Sequence, residues 1–442
     1  REILANPEAY GRSEYGRDEK VMVEFVSANP TGPMHMGNAR GGALGDCLAA
    51  VLDKAGYNAW REFYVNDAGN QIEKFGCSLE SRYLQIFKGD EIEFPEDGYQ
   101  GEDIKDLAKE YADLNGDSLV NVSAEERKKA LVGYALPKNI KKMQADMEKY
   151  KIFYDKWFFE SELHKSGAVK AVVDLLTEKG LTYEKEGAVW YKNKEVLTQK
   201  LLKEGKSQKY IDNLELKDDV LIRQNGNPTY FTADIAYHKN KFDRGFTTLI
   251  DVWGADHHGH VMRMKGAMDA IGYDGDKLNV VLMQLVKLVK DGELVKMSKR
   301  TGKAIQLGDL LDEVPVDSAR FLFNTKEANT QMDFDLDLAV SQDNQNPVYY
   351  VQYAHARICS IFKSLAKEGI SPRECTDAEL ALLTAPEEKE LINHLASYTN
   401  EIISAAKDYD PTKVTRYVTQ LATLFHKFYN ACRVKGEEEG LM

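Results

Sequence analysis

The sequence has little proline and no long hydrophobic run. Only 11 of 442 residues are proline, while hydrophobic residues reach 43%, which excludes a wholly disordered chain. The most apolar stretch, 278–289, is interrupted by Asn279, Gln284 and Lys287, and it is far shorter than the roughly 20 apolar residues of a membrane helix. We therefore expect a soluble, globular protein that has no membrane partner.

Cysteine and excess positive charge are also scarce. The five cysteines form no CxxC pair and are odd in number, which favours neither a disulfide framework nor a zinc ribbon and fits a reducing cytoplasm. With 58 Lys and Arg against 71 Asp and Glu, the net charge is −13, which argues against a nonspecific polyanion binder. A local basic groove is still compatible with this composition.

The first 65 residues predict one crossover unit of a parallel sheet. The β-rich run 21–26 predicts a strand, a helical pattern follows it and closes at Gly56, and 60–65 predict a second strand. The order strand, loop, helix, strand is typical of α/β folds. We expect a ligand at the first turn.

Composition divides the rest of the chain. Residues 78–216 are acidic and lysine-rich, with long helical patterns such as 124–150 and a hairpin near 187–191, and we interpret them as an insertion. Strand patterns return at 220–223, 247–253 and 279–283, and beyond Phe334 only helical patterns remain, at 348–367, 387–407 and 411–434. The sequence thus predicts an α/β fold: a Rossmann-like parallel-sheet domain at 1–333, with halves at about 18–77 and 217–305. An all-helical domain is expected at 334–442.

A glycine-rich segment, 33–45, follows the first predicted strand. His35 ends the strand-to-helix loop, and the glycines after it let the backbone approach a ligand closely. The amides of a helix N-terminus favour a phosphate, to which an imidazole can also donate. Alternatively, the glycines allow a helix to pack closely on the sheet and His35 is only a turn residue; this segment alone does not decide.

A basic segment, 296–302, follows a predicted hairpin whose turn is Asp291-Gly292. Three cations within five residues cannot be buried unpaired, so we expect an exposed loop. Such a loop can close over a nucleoside triphosphate and stabilise the charge of the leaving pyrophosphate. The alternative is an ordinary solvated basic turn.

Taken together, the two segments resemble the two signatures of class I aminoacyl-tRNA synthetases, in the same order. His35-Met-Gly-Asn38 stands for the family's His-Ile-Gly-His, and Lys296-Met-Ser-Lys-Arg300 differs from the second signature only at its last residue. Four longer segments resemble arginyl-tRNA synthetases specifically: 23–35, 230–237, 252–260 and 349–357. The resemblance implies an arginine–tRNA ligase, which activates L-arginine with ATP to arginyl-adenylate and transfers it to the 3′-terminal ribose of its tRNA.

The resemblance also implies roles for individual residues. The catalytic residues would be His35, Asn38, Lys296, Ser298 and Lys299. ATP would further contact Pro33, Gly37, His257 and Met297. Arginine would be bound by Glu24, Ser27, Asn29, Tyr230, Asp234 and Asp256, with Glu24, Asp234 and Tyr230 at the guanidinium group. In the helical anticodon-binding domain, the tRNA would contact Tyr350, Tyr353 and Arg357.

Several of these residues have alternative interpretations. Glu24 could be an edge-strand carboxylate that faces water, and Asp234 could be the N-cap of a helix. Tyr350 and Tyr353 could belong to a domain-interface core. The cluster 256–260 could bind zinc, although a loop after a strand of a parallel sheet is by topology a nucleotide site.

The expected cofactor is ATP with Mg²⁺, which would arrive on the nucleotide, and no protein-bound structural metal is expected. The resemblance further implies a partner tRNA, and we expect a monomer whose helical domain is truncated at the C-terminus. Some arginyl enzymes carry a lysine just before the first signature and lack the second lysine of the loop; this chain has Gly32 there and keeps Lys299. The alternatives are a non-catalytic tRNA-binding paralogue, against which the intact His35 and Lys299 argue, and a metal-dependent hydrolase.

Overall fold

A computed structural model describes residues 1–89, 91–295 and 305–434. In chain order, the strands of these residues are β1 (Lys20–Glu24), β2 (Asn58–Val65), β3 (Lys156–Phe159), β4 (Thr182–Lys185), β5 (Ala188–Tyr191), β6 (Asp219–Ile222), β7 (Thr248–Gly254), β8 (Leu278–Met283), β9 (Val286–Lys290), β10 (Glu293–Val295) and β11 (Met332–Asp335).

The helices of the same residues follow the chain from the N-terminus. They are α1 (Glu2–Ala5), α2 (Met36–Lys54), α3 (Asn70–Lys88), α4 (Glu102–Asn115), α5 (Ala124–Lys149), α6 (Glu160–Lys165), α7 (Ala168–Glu178), α8 (Asn193–Lys203), α9 (Gln208–Asp212), α10 (Tyr230–Asp243), α11 (His258–Ile271), α12 (Leu307–Glu313), α13 (Val316–Phe323), α14 (Leu336–Val340), α15 (Pro347–Ala366), α16 (Asp377–Leu380), α17 (Pro386–Ala396), α18 (Tyr398–Lys407) and α19 (Thr412–Ala431).

Five parallel strands form the central sheet, in the order β3-β2-β1-β7-β8. The predicted crossover unit is confirmed as β1, α2 and β2. The chain runs outward from β1 in both directions, so the strand order reverses between β1 and β7. Such a switch point leaves a crevice at the carboxyl ends of the strands, where α/β proteins bind ligands.

Side chains alternate between the two faces of β1. Val21 and Val23 enter the hydrophobic core shared with α2, as their spacing predicts, whereas Met22 belongs to the core on the opposite face, with residues of α10. Glu24, two residues beyond Met22, therefore points to the α10 side. The sheet is covered by helices on both faces, which keeps the site at its carboxyl edge.

Two predicted boundaries differ from the structure. Strand β3 lies within the segment 78–216 that the sequence analysis interprets as an insertion, yet it pairs with β2 as the edge strand of the central sheet. Conversely, β6 was expected among the central strands, but it pairs with β5 in the antiparallel sheet β4-β5-β6. Short strands carry too little local information to select a partner sheet.

The hairpin β9–β10 is confirmed, with Asp291 and Gly292 at φ +54° and +75° in its turn. Past β11 the described chain is helical, as predicted, but 387–407 forms two helices, α17 and α18, which meet at Ser397. Within the described ranges, no helix is long and apolar enough to cross a membrane.

Candidate functional site

The first signature lies at the start of α2, at the carboxyl edge of the sheet. His35 is the N-cap of α2: its Nδ1 accepts from the Gly37 backbone N–H at 3.3 Å, and Asn38 Oδ1 accepts from the His35 backbone N–H at 2.9 Å. Burial lowers the pKa of His35, and an accepting Nδ1 places the proton of the neutral ring on Nε2. The His35 Nε2–H and the Asn38 amide nitrogen can therefore donate to a ligand.

The glycines of the glycine-rich segment differ in their surroundings. A Cβ at Gly45 would lie 2.1 Å from Phe25 Cγ, and one at Gly42 would lie 2.9 Å from Ile152 Cδ1, so these two glycines allow close packing. At Gly41 the nearest atom would be Met283 Cε at 3.6 Å, an ordinary contact. Gly41 faces a cavity instead.

This cavity, which we call the nucleotide cavity, has a volume of about 780 Å³. Its lining includes His35, Gly37 and Asn38 from the first signature, Gly41 of α2, Asp256 and His257 after β7, and residues 283–288 at the end of β8 and the start of β9. Val295 and Ile305, on either side of the basic segment, also line it. Lys296, Met297, Ser298 and Lys299 themselves lie outside the described residues. Pro33 is half-buried in the loop before His35.

A second cavity of about 890 Å³, the amino-acid cavity, lies beside the first. Its lining includes Asn66, Tyr230 and Asp234. Asp256 and His257 line both cavities, so the two share a wall. Two ligands could thus meet at these residues, one from each side.

Asp234 is held by residues of the next helix. Its Oδ2 lies 3.0 Å from His260 Nε2, and His260 Nδ1 lies 2.9 Å from Arg263 Nη2. Because a guanidinium only donates, Nδ1 must accept, which leaves the His260 proton on Nε2 to donate to Asp234. The N-cap interpretation of Asp234 is wrong, since α10 begins earlier, at Tyr230, after the N-cap Thr229.

Glu24 is not an edge-strand residue, so that alternative is wrong as well. Strand β1 is central, and Glu24 is only 7% exposed. Its Oε1 accepts from Ser27 Oγ at 2.7 Å and its Oε2 pairs with Lys241 of α10. Ser27 Oγ in turn accepts from the Tyr64 backbone N–H at 3.1 Å, while Ser27 and Val26 adopt positive φ of +36° and +72°, which is costly for a β-branched valine.

Three carboxylates form a buried row across the sheet. Glu24 is aligned with Glu62 on β2 and with Asp251 on β7. Glu62 receives two hydrogen bonds from Arg244, at 2.8 and 2.6 Å, and one from the Tyr237 hydroxyl at 2.9 Å. These charges are buried, but each is paired, as burial requires.

Lys241 of α10 pairs with two of these three carboxylates. Its side chain is 0% exposed, and its Nζ bonds both Glu24 and Asp251 Oδ1, the latter at 2.8 Å. His238 Nε2 lies 2.7 Å from Asp251 Oδ2, and its Nδ1 lies 2.7 Å from the Asp234 carbonyl. Although burial opposes it, Lys241 and His238 hold the pKa of Asp251 below its ordinary value, whereas burial raises the pKa of Glu24.

Among the described residues, the cluster 256–260 does not bring three metal-ligating atoms together. Asp256 and His257 are exposed, and His260 is engaged with Asp234. In the described ranges, the group that could offer three ligands is Glu24, His238 and Asp251, but the Lys241 ammonium already bonds two of these three residues.

Sequence reasoning missed three residues that support this site, His238, Lys241 and Asp251, and considered His260 only within the cluster 256–260. One signal was available: Asp234, His238 and Lys241 are spaced i, i+4 and i+7, which places them on one helix face. That this helix face would meet both Glu24 and Asp251 could not be predicted, because these two residues are more than 200 positions apart in the sequence. Asn29 is exposed beside Asn66.

The predicted tRNA-binding residues lie on α15, but they differ in environment. Tyr350 is half-buried between α15 and α19, where its hydroxyl donates to Thr423 Oγ1 at 3.3 Å. Tyr353 is 39% exposed, and the Arg357 guanidinium lies 5.0 Å from its ring centre and 4.2 Å from that of Tyr429. Tyr350 thus belongs to a helix–helix core, whereas Tyr353 is more exposed and its ring contacts Tyr349, His426 and Arg357.

Comparison with known proteins gives consistent matches along the chain. The family described as tRNA synthetases class I (R), catalytic domain, matches residues 1–359, and the DALR anticodon binding domain matches 351–442. The chain is 57% identical over 442 residues to an arginine–tRNA ligase of Ruminiclostridium cellulolyticum and 56% identical to that of Acetivibrio thermocellus. Each comparison covers 100% of this chain and 75% of the relative.

Solved structures agree with these matches. One from Campylobacter jejuni, assigned as an arginyl-tRNA synthetase, aligns with a TM-score of 0.81 and 35% identity, covering 100% of this chain and 91% of the other. The arginyl-tRNA synthetase of Thermus thermophilus aligns with a TM-score of 0.72 at 21% identity, a likeness of fold alone.

Proposed function

The chain belongs to the class I arginyl-tRNA synthetases and is an arginine–tRNA ligase, and from this premise we propose how its residues divide the work. In the first step, an oxygen of the arginine carboxylate attacks the α-phosphorus of ATP, forming arginyl-adenylate and releasing pyrophosphate. In the second, a hydroxyl of the terminal tRNA ribose attacks the arginyl carbonyl and AMP leaves. The match to the class I catalytic domain supports this activity over the non-catalytic paralogue.

The observation that carries the proposal is the wall shared by the two cavities. With ATP in the nucleotide cavity and arginine in the amino-acid cavity, the α-phosphate and the attacking carboxylate would meet beside Asp256 and His257. Holding two reactants in contact supplies much of the rate enhancement of such a step. No covalent enzyme intermediate is needed.

On the nucleotide side, His35 Nε2–H and the Asn38 amide would donate to phosphate oxygens near the positive end of α2. Pro33, Gly37, His257 and Met297 would shape this side. The charge on the leaving pyrophosphate would be stabilised by Lys296, Ser298 and Lys299 of the basic segment, whose flanking residues line the cavity. Magnesium would enter as part of the ATP substrate, and we expect no structural metal.

On the amino-acid side, Asp234, Glu24 and Tyr230 would receive the guanidinium group. This planar cation has five donors, and carboxylates held in fixed positions match it better than they match an ammonium. Asp234 is fixed by His260 and Glu24 by Lys241 and Ser27, so the acceptors are preorganised. Asn29 and Asp256 would bind the amino-acid backbone.

In the helical domain, Tyr353 would stack on an anticodon base and Arg357 would contact a phosphate, with Tyr350 supporting them from the core. The division into a catalytic domain at 1–333 and an anticodon-binding domain at 334–442, a monomeric state and a cytoplasmic location are parts of the same proposal.

The test is arginine-dependent exchange of labelled pyrophosphate into ATP, with and without total tRNA, and with lysine and glutamate as control amino acids. We expect exchange with arginine alone among the three, and we expect it to require tRNA. Equal exchange with lysine would contradict the assignment of the amino-acid cavity. Exchange without tRNA would keep the substrate and remove the tRNA requirement.

A further inference from the structure

Arg40 is a fully buried arginine to which the sequence analysis assigns no role. It lies in the second turn of α2, after the N-cap His35, and it is 0% exposed. Burial lowers the pKa of Arg40, and among the described residues no neighbouring carboxylate opposes that shift. A guanidinium stays charged even so, and a buried charge must be satisfied by hydrogen bonds. The partners of Arg40 therefore indicate what this charge does.

These partners are two backbone carbonyls on separate segments of the chain. The Arg40 Nη1 donates to the Gln284 carbonyl and the Nη2 donates to the Glu327 carbonyl, each at 2.8 Å. The two segments also bond each other, since the Gln284 backbone N–H donates to the Ala328 carbonyl at 2.8 Å. A guanidinium holds its donors in a rigid planar fork, so this one side chain sets the positions of both carbonyls relative to α2.

Gln284 lies where the chain leaves the central sheet. Strand β8, which pairs with β7, ends at Met283, and β9, which pairs with β11, begins at Val286. We call the two residues between them, Gln284 and Leu285, the β8–β9 link. Because the link passes from one sheet to the other, the Gln284 carbonyl lies outside both strand pairings, and among the described residues Arg40 is its donor. Arg40 thus anchors the chain at the change of sheet.

The β8–β9 link and the start of α2 both form walls of the nucleotide cavity. The two link residues line it, as do His35 and Asn38 of the first signature. Beyond the link, the hairpin β9–β10 ends at Val295, directly before the basic segment. Arg40 is not itself a lining residue, so any effect on a ligand must pass through the groups that it holds. It joins the helix of the first signature to the base of the hairpin that leads to the second.

We infer that Arg40 is a positioning residue for ATP, which fixes the β8–β9 link to α2 and thereby sets the distance between the two signatures across the nucleotide cavity. The inference rests on the proposed function, since it takes this cavity to be the ATP site. Without Arg40 the hairpin loses its charged anchor on α2. A displacement of about 1 Å at a reacting group can slow a reaction about 10²-fold, so the loss of this anchor should be visible in the chemistry.

The test is Arg40→Met, assayed by arginine binding, by the KM for ATP and by single-turnover adenylate formation with tRNA. Methionine keeps an unbranched side chain but removes every donor. We expect the KM for ATP to rise about 10-fold and adenylate formation to slow about 10- to 100-fold, because the two walls of the cavity are no longer held together. The dissociation constant of arginine should not change, since neither Gln284 nor Glu327 lines the amino-acid cavity.

The matched control is Arg127→Met, at the start of α5. Arg127 is also a buried arginine, at 7% exposure, and it donates to three backbone carbonyls and to Glu80, but it lines neither the nucleotide cavity nor the amino-acid cavity. Its loss should lower stability, yet the KM for ATP and the rate should stay at their wild-type values at a temperature at which both variants are folded. An equal rise of the KM in Arg127→Met would point to general destabilisation and overturn the inference.

His35→Ala separates this inference from the proposed function. A folded Arg40→Met protein with the wild-type KM for ATP and the wild-type rate, while His35→Ala slows adenylate formation, would overturn the inference and leave the proposed function standing. If neither variant changes the KM or the rate, the nucleotide cavity itself is wrongly assigned. Equal weakening of arginine and ATP binding in Arg40→Met would mean that Arg40 only supports the fold, which would also overturn the inference.

Should Arg40→Met fail to fold, Arg40→Lys is the second variant. Lysine keeps the charge, but its donors sit on a single nitrogen rather than on a planar fork, so it cannot hold both carbonyls in the same geometry. We expect a KM for ATP between the wild-type value and that of a variant without any donor, with arginine binding unchanged. A wild-type KM and rate in Arg40→Lys would show that the fork is not needed and would contradict the inference.

Discussion

The catalytic sheet and the C-terminal helices bury very different side chains. On the sheet, Lys241 has no exposure and lies between carboxylates of two strands, and Arg244 pairs with a third. Helices α15 and α19 instead meet through Ala354, Ala422 and Phe425. The ion pair between Lys427 and Glu390 in the helical part is more than half-exposed on both sides.

The difference has a functional reason. Buried ion pairs seldom increase stability over apolar packing, because desolvation offsets their attraction. They do fix geometry, since each charge must keep its partners. The residues that hold α10 to the sheet lie on the helix that carries Tyr230 and Asp234, so the same contacts set the position of the proposed guanidinium acceptors. In the described residues of α15 and α19 no charged side chain is fully buried, and the two helices meet mainly through apolar side chains.

The largest expected effect comes from Lys241→Met, which breaks the buried row. We expect a loss of about 3–5 kcal/mol in the free energy of unfolding, since two buried carboxylates would then face each other without a cation. Urea denaturation measures this. Lys427→Met in the helical part is the control and should change stability by less than about 0.5 kcal/mol.

The pH dependence of this variant sharpens the comparison. Burial already raises the pKa of Glu24, and without Lys241 the pKa should rise further. A carboxyl group whose folded pKa exceeds its unfolded pKa binds protons more tightly in the folded state, so stability increases as the pH falls through the folded pKa towards the unfolded pKa. The Lys241→Met protein should thus regain part of its free energy of unfolding on mild acidification. A free energy of unfolding that does not change with pH would contradict the pairing of Lys241 with the two carboxylates.

Lys299→Ala should affect chemistry and leave the fold intact. We expect adenylate formation to slow by about 10²- to 10³-fold, or roughly 2.7–4 kcal/mol in the barrier, with little change in arginine binding. Single-turnover assays of adenylate formation measure the rate. Lys290→Ala, on β9, is the matched control and should keep the wild-type rate. Equal losses of rate and arginine binding would count against the proposed role.

Substitutions at two glycines of α2 should distinguish a glycine needed for close packing from one that contacts a ligand. A Cβ at Gly45 would collide with Phe25, so Gly45→Ala should cost about 1–3 kcal/mol of unfolding free energy. At Gly41 there is room, so Gly41→Ala should leave stability unchanged but raise the KM for ATP, because the methyl group would enter the nucleotide cavity. The reverse pattern would show that the two glycines have been assigned the wrong roles.

The smallest effects are expected in the helical part, where two tyrosines of α15 should behave differently. Tyr350→Phe removes one hydrogen bond to Thr423 and should cost about 1 kcal/mol of stability without changing tRNA affinity. Tyr353→Ala should weaken tRNA binding about 10-fold, as expected for a lost stacking contact, while stability stays the same. Filter binding and thermal unfolding distinguish the two.

Much of the fold could be predicted because its signals are local. Alternation in β1, the glycine after α2 and the Asp-Gly turn of β9–β10 depend on neighbouring residues. The pairing of β3 with β2 joins residues about 95 positions apart, so no local pattern could show that part of the supposed insertion completes the central sheet. The break at Ser397 was missed, since neither proline nor glycine marks it.

The candidate site could likewise be predicted only in part. The motifs identified His35, Asn38 and the proposed arginine ligands along the chain. Of these, His35, Asn38, Tyr230, Asp234 and Asp256 line the two adjoining cavities, whereas Glu24, Ser27 and Asn29 are not among the lining residues. The basic segment lies outside the described residues.

The sequence by itself determined the order of the secondary-structure elements and the family, because helix and strand patterns and contiguous motifs are written along the chain. Only the tertiary structure decided the ionic environment of the site. In the unfolded chain, Glu24, Asp251 and Lys241 are charged side chains in contact with water. Folding places β1, β7 and α10 side by side and buries all three. Burial then makes each dependent on the others, because an unpaired charge in the interior is too costly to keep.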